Sequence, residues 1–427
     1  MTALVWMALA VAPSGAAARA TVLAEPPPGS HGSVTTSAPA IAPTPREGGS
    51  LLVYESPVDA PPGVIRNEIR ARRVDAAGQP AGEPVVIASP PAGTSLAAPR
   101  LAVDPAGDAS LVVWRELHGT VGYGHTNDGR VRARRVSAGG MPAGPELALG
   151  SLTAELTGAD VDFDRLGGVW AVAWSSRDGV RARKVGKGGE KVGKPRVLAA
   201  RTEASEVTVG ATRKAFLIAW VQPAGRRASA VYARVLSAES PAAGRRKRIA
   251  LPRPREATWH VVSDLDLAYD TRRRRLALAY SAWWDTGTSE GDTEVNVQRL
   301  TPAGMRIGSP TWLDVELNTE NLGRTRIAYN RASDSFRVIW WYEEIPSGPV
   351  CRHTKIRTRS VTGAWKARPP QSPISSEGDP AGPAHPNAAG SQCRVPPDMP
   401  AIAPAGDGGW LAAWTRHPYV LGLRLGP

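Results

Sequence analysis

The chain has 427 residues, a formal net charge of +13, 44 glycines, 39 prolines and two cysteines. That length suggests two or three domains, but internal repeats override the estimate, and no long amphipathic helical pattern occurs anywhere. Beyond the first residues no run is long and apolar enough to span a bilayer, so no membrane span is expected.

In chain order, Ala3 to Ala12 form a short apolar run, and Ala18-Arg19-Ala20 has the small-x-small spacing of a signal-peptidase site. Residues 1–20 therefore read as a signal peptide, which places the protein outside the cytoplasm, secreted or periplasmic. The n-region departs from the usual pattern in having no Lys or Arg.

Residues 21–427 read as one domain built on a repeated unit, clearest from Pro99 to Ala148. Arg100 to Val103, a turn at Asp104 to Asp108, and Leu111-Val-Val-Trp114 make a hairpin. Val131-Arg-Ala-Arg-Arg-Val136 supplies a third strand, and a Gly-rich turn leads to a fourth at Leu147-Ala-Leu149. The aromatic residue ending the second strand recurs as Tyr54, Trp114, Trp174, Trp220, Tyr280, Trp340 and Trp414. Seven units of four short strands predict an all-β, seven-bladed propeller of four-stranded antiparallel blades. The seventh unit ends at Leu425 without its fourth strand. Thr21 to Glu25 matches the fourth-strand segment Val85 to Ala88, so the N-terminal strand is expected to complete the last blade and close the ring.

These blades resemble those of secreted bacterial β-propeller repeat proteins, which read P-x-hydrophobic-Ala, a turn, L-x-x-Trp, I-x-A-R and G-x-x-x-G. Here the elements are Pro99, Ala102, Leu111, Trp114, Val131, Ala133, Arg134, Gly140 and Gly144. The resemblance covers nearly the whole chain after residue 20 and implies fold, not activity. The S-x-D-x-G-x-x-W boxes of sialidases are absent, as are the marks of WD and kelch repeats.

Candidate sites follow from the predicted register. First strands line a central channel, and the position before the wedged apolar residue reads Arg100, Asp160, Glu206, Asp266 and Arg326 in five consecutive blades, with Asp264 and Arg324 further out. Two fates are open to this collar. Arg100 pairs with Asp160 and Arg326 with Asp266, leaving Glu206 to water, or the group forms a funnel for a polar ligand.

On the same upper face, Trp283, Trp284, Trp341 and Tyr342 are expected beside an acidic loop carrying Asp285, Glu290, Asp292 and Glu294. Aromatic faces flanked by carboxylates suit a sugar, although rings packed between blades are the commoner arrangement. The loop lacks the D-x-D-x-D-G order of a calcium site, His118 and His125 lack further ligands, and neither a metal nor another cofactor is expected. Cys351 and Cys393 fall in loops on one face and are expected to form a disulfide.

The basic runs at Lys184 to Lys194, Arg245 to Arg248 and Arg272 to Arg275 are assigned to bottom turns, where they would solvate the surface or hold a polyanion. The leading reading is a monomeric, non-catalytic exported scaffold that binds an extracellular glycan or protein. A carbohydrate-active enzyme using Asp160, Glu206 or Asp266 and a polyanion-binding surface protein are the alternatives.

Overall fold

The computed structural model describes residues 20–25, 39–44, 48–58, 66–106, 109–118, 129–152, 156–176, 178–240, 243–249, 251, 257–285, 291–316, 321–344, 353–369, 374, 400–416 and 419–427. The predicted Cys351–Cys393 bridge lies outside them, as do His125, Glu290 and the signal segment.

The first strand, β1 (Thr21–Ala24), stands apart in sequence from blade 1, which is β2 (Ala40–Thr44), β3 (Gly49–Pro57), β4 (Asn67–Val74) and β5 (Pro80–Ala88). Blade 2 is β6 (Thr94–Val103), β7 (Ala109–His118), β8 (Gly129–Ser137) and β9 (Leu147–Leu152). Blade 3 is β10 (Leu156–Asp164), β11 (Val169–Ser176), β12 (Gly179–Gly186) and β13 (Lys191–Ala200). Blade 4 is β14 (Glu206–Ala211), β15 (Ala215–Pro223), β16 (Ser229–Ser237) and β17 (Lys247–Ile249). Blade 5 is β18 (Trp259–Asp270), β19 (Arg275–Asp285), β20 (Asp292–Leu300) and β21 (Arg306–Glu316). Blade 6 is β22 (Asn321–Asn330), β23 (Ser335–Glu344) and β24 (His353–Thr362), and blade 7 begins with β25 (Pro400–Pro404), β26 (Trp410–Arg416) and β27 (Tyr419–Leu425).

All described strand pairs are antiparallel, and β1 pairs with β27, so the two ends of the chain share blade 7. First strands touch one another in the cyclic order β2, β6, β10, β14, β18, β22, β25 and back to β2, which makes them the inner wall of a closed ring. Blade 6 differs from the others: its sheet has three strands among the described residues. Beside β24, Arg368 N donates to Ser360 O at 2.9 Å and Ile374 N to Ile356 O at 2.9 Å, so these two residues lie where the fourth strand is expected.

The core lies between blades rather than at the centre. Trp114, Trp174, Trp220 and Trp414 are fully buried, and Tyr54, Tyr280 and Trp340 nearly so. Each cluster of apolar side chains joins two neighbouring sheets, as when Leu278 and Tyr280 of blade 5 meet Leu217 and Val231 of blade 4. Period-2 alternation thus buries both faces of every blade, one against each neighbour.

The I-x-A-R and G-x-x-x-G motifs work as one device. Arg134 Nε donates to Gly144 O of its own turn at 2.9 Å, while Nη1 donates to Ile87 O of the preceding blade at 2.7 Å. Arg72, Arg183, Arg234 and Arg359 repeat this clamp, reaching back to Leu23, Leu149, Leu198 and Leu313. Both glycines of the motif have positive φ in blades 1, 2, 3 and 5, for example 80° at Gly140 and 144° at Gly144, a region costly to residues with a Cβ. Arg72 meets Leu23 on β1 as Arg134 meets Ile87 on β5, which fixes β1 as a fourth strand.

Candidate functional site

The inner strands bring the predicted collar together. Each sheet ends at its first strand, whose outward N–H groups lack a ladder partner and must be satisfied otherwise. The collar carboxylates supply acceptors across the blade boundary. Asp160 Oδ2 accepts from Val209 N at 2.8 Å and from Thr208 Oγ1 at 3.1 Å. Glu206 Oε2 accepts from Leu265 N at 3.1 Å, and Asp266 Oδ2 from Ile327 N at 2.8 Å. Each carboxylate therefore staples its blade to the next.

Two further staples fall outside the predicted collar. Asp162 Oδ2 accepts from Ala211 N at 2.6 Å, one step further along β10, and Glu55 Oε1 accepts from Ala98 N at 2.7 Å. Asp162 is readable from the period-2 rule, since it shares a side with Asp160. Glu55 sits on a second strand, where no channel-facing residue is sought.

The two arginines do not close the expected pairs. Arg100 Nη1 donates to Pro99 O at 3.2 Å and Arg326 Nη1 to Thr325 O at 2.8 Å. Among the described residues no ion pair within 4.0 Å joins either guanidinium to Asp160 or Asp266. They act through space instead. Burial and then the Arg326 guanidinium bring Arg100 down to about 10. Burial lifts Asp266 to about 6 against the pull of Arg326, and burial with the neighbouring Asp264 lifts Glu206 to about 7. Asp160 is raised by burial and held back chiefly by Arg100.

At the upper mouth, β6, β18 and β22 each bulge at the same place. Ala98, Asp264 and Arg324 there adopt φ of 52°, 55° and 53°, left-handed conformations that cost non-glycine residues roughly 1 kcal/mol each. The bulge turns Asp264 toward Ser281 Oγ, which donates to it at 2.7 Å, with Arg324 Nη1 at 3.9 Å. Irregularities of this kind re-aim side chains beside binding sites.

The β18–β19 hairpin extends past this mouth. Register places Trp259 opposite Asp285 and Val261 opposite Trp283, and the Arg227 guanidinium of blade 4 lies over the Trp259 ring, 5.5 Å from its centre. Trp259 and Val261 are exposed at 37% and 39%, and Trp283 is half-buried. Trp284 alternates to the blade 4 side with its Nε1 sealed from solvent, and Trp341 packs toward blade 7 with its Nε1 likewise sealed. Tyr342 is buried between blades 5 and 6 rather than exposed, under the Arg357 guanidinium 3.5 Å from its ring centre. The acidic loop does not gather its oxygens: Glu294 pairs with Ala282 and Asp292 with Trp284, on the side of the sheet opposite to Asp285. His118 Nε2 lies 3.4 Å from Glu116 Oε1, and no group of three potential metal ligands occurs among the described residues.

The basic runs are used unevenly. Lys184 Nζ donates to Ser237 O, Ala238 O and Ser240 O, and Lys187 lies 2.7 Å from Asp104. Arg273 holds Asp334 at 2.6 Å and Asp270 at 3.2 Å. Arg245 to Arg248 are exposed, and Lys247 and Arg248 belong to β17 itself, which moves them from a bottom turn to the outer rim.

No family model matches the chain, and no curated protein matches it. Among solved structures it is similar to a chain of the mitotic checkpoint complex, at 11% identity and TM-score 0.48 over 99% of this chain and 100% of that one. It is similar to the NanB sialidase from Streptococcus pneumoniae, as its K499G mutant, at 10% identity and TM-score 0.45 over 97% of this chain and 71% of that one. The Hadza microbial sialidase Hz136 matches at 16% identity and TM-score 0.45 over 71% of this chain, which spans 62% of that protein. At the level of fold the chain resembles the seven-bladed β-propellers, with no family of defined activity attached.

Proposed function

We propose that the protein is an exported, non-catalytic scaffold that binds a carbohydrate-bearing ligand on its top face, beside blade 5. The observation that carries this reading is the shelf of partly exposed Trp259, Val261 and Trp283 with Asp285 in register on the extended hairpin. The Arg227 guanidinium covers one face of the Trp259 ring at 5.5 Å, and Trp283 offers the second indole. Indole faces stack on the apolar faces of pyranose rings, and a neighbouring carboxylate accepts hydroxyl hydrogens. The channel mouth adds Arg100 and Arg326, whose guanidiniums make no ion pair within 4.0 Å with Asp160 or Asp266. Binding is favoured over hydrolysis because Asp160, Glu206 and Asp266 each spend an oxygen on a backbone N–H of the next blade. A general acid or nucleophile needs its oxygen directed at the reacting bond.

Glycan-array binding by the wild type, weakened roughly tenfold or more in Trp259→Ala and Trp283→Ala, is the expected result. Unaltered binding in both variants, with their thermal melts intact, would remove the shelf. Release of reducing sugar from polysaccharide pools, lost in Glu206→Gln, would replace the scaffold with an enzyme.

A further inference from the structure

A second surface stands apart from the top face and carries its own argument. The outer strands of blades 3 and 4 face each other across a groove. On β13, Arg196 pairs with Ala182, whose side chain belongs to the cluster shared with blade 4, so Arg196 points toward blade 4. On β17, Arg248 pairs with Tyr232, which packs on the same cluster from the other side, so Arg248 points toward blade 3. Arg246 lies over the Tyr232 ring, 5.1 Å from its centre.

Between the two walls Arg234 donates to Gly244 O at 2.8 Å, Leu198 O at 2.8 Å and Val197 O at 3.4 Å. One guanidinium thus ties the backbone beside Arg196 to the backbone beside Arg245, which makes the two basic segments neighbours. Burial and then the Arg196 guanidinium depress the Lys184 ammonium.

The four strands that form this groove, β12, β13, β16 and β17, contain no Asp or Glu. Lys194, Arg196, Arg245, Arg246 and Arg248 are exposed, and among the described residues none has an ion pair within 4.0 Å. The contrast with Lys187 and Arg273, each held by a carboxylate, is local and specific. Crowded guanidiniums repel one another, so the groove is stabilised by any anion that bridges them. Lys194 and Arg196 on one wall and Arg246 and Arg248 on the other present more cations than one small anion can cover. Guanidinium forks match the oxygens of sulfate and carboxylate groups. The one ring in the groove, Tyr232, lies under Arg246, so no platform is left for stacking nucleobases.

We infer that the groove between the outer strands of blades 3 and 4 is a binding site for a sulfated polysaccharide chain. The test is fluorescence anisotropy of the full chain with a labelled heparin octasaccharide, read at several salt concentrations. Triple replacement Arg196→Gln, Arg246→Gln and Arg248→Gln is expected to weaken binding by roughly tenfold or more and to flatten the salt dependence. A control removing three exposed charges elsewhere, Arg165→Gln, Arg331→Gln and Lys366→Gln, is expected to change it less than about threefold. Equal losses in both triples would reduce the effect to net charge and overturn the site. Because Arg246 covers Tyr232, the milder pair Arg196→Gln and Arg248→Gln is measured alongside, and a folded pair with undiminished binding would also overturn it. Tighter binding of a single-stranded oligonucleotide of equal charge would overturn the choice of polysaccharide. Loss of top-face glycan binding in the Trp259 and Trp283 variants leaves this result untouched, since the two surfaces share no residue.

Discussion

Arg134 holds two backbone carbonyls with one guanidinium, at 2.9 Å and 2.7 Å, and four other blades repeat the arrangement. Hydrogen bonds from charged donors contribute about 1.5–3 kcal/mol each, so Arg134→Ala is expected to destabilise the fold by roughly 2–4 kcal/mol in urea unfolding. Arg130→Ala, at a half-exposed side chain 3.9 Å from Glu116, is expected to cost less than about 0.5 kcal/mol. Equal costs for the two would show that the clamp has no special weight. At the collar, Asp160→Asn keeps an oxygen for Val209 N and is expected to be milder than Asp160→Ala, which strands that N–H; guanidinium melts of the two variants measure the difference.

Among the elements, β1 carries the closure. Leu23 is fully buried, and a Cβ added at Gly422 would meet its Cδ1 at 2.3 Å, so the side chain of one end fills the space left by a glycine at the other. Leu23→Ala is expected to cost about 2–5 kcal/mol, and Gly422→Val to be at least as damaging, both read by thermal unfolding. This strand was legible in sequence because Thr21 to Glu25 repeats the pattern of Val85 to Ala88, and repetition makes register transferable from one blade to the next. Where a blade departs from its siblings, legibility fails. Trp259 begins β18, which at twelve residues is the longest first strand among the described residues, and an alignment anchored on second-strand aromatics passes over its start. Arg245 to Arg248 read as a turn from sequence because β17 is only three residues long and takes in Lys247 and Arg248 alone of the four. The collar positions were legible, since alternation decides which side a residue takes. Their partners were not, because acceptors are drawn to unpaired backbone N–H groups that no side-chain pattern reveals.

At the scale of the whole molecule, the inner wall makes stability depend on pH. Burial raises Asp266 to about 6 and Glu206, Asp162 and Glu55 to about 7, against ordinary values near 4 in the unfolded chain. Between those limits the folded state holds more protons than the unfolded one, so stability falls as pH rises. The melting temperature is expected to be higher at pH 5 than at pH 8 by several degrees, and a flat or rising profile across that window would contradict the buried positions assigned to these groups. At the acid extreme a smaller opposite effect enters. Asp334, held down to about 2 mainly by Arg273, contributes stability above the usual carboxylate range, and this is lost as pH falls through about 2.

Pairing β1 with β27 also sets an order of events during synthesis. The first six sheets can assemble as they emerge, and Leu23 can meet Leu52, Tyr54 and Val74 of blade 1, yet β1 has no ladder partner until the final strand leaves the ribosome. At about 5–20 residues per second, that wait lasts on the order of 20–80 s. Throughout it a short apolar strand with bare hydrogen-bonding edges is on offer to any other chain nearby, including a second nascent copy.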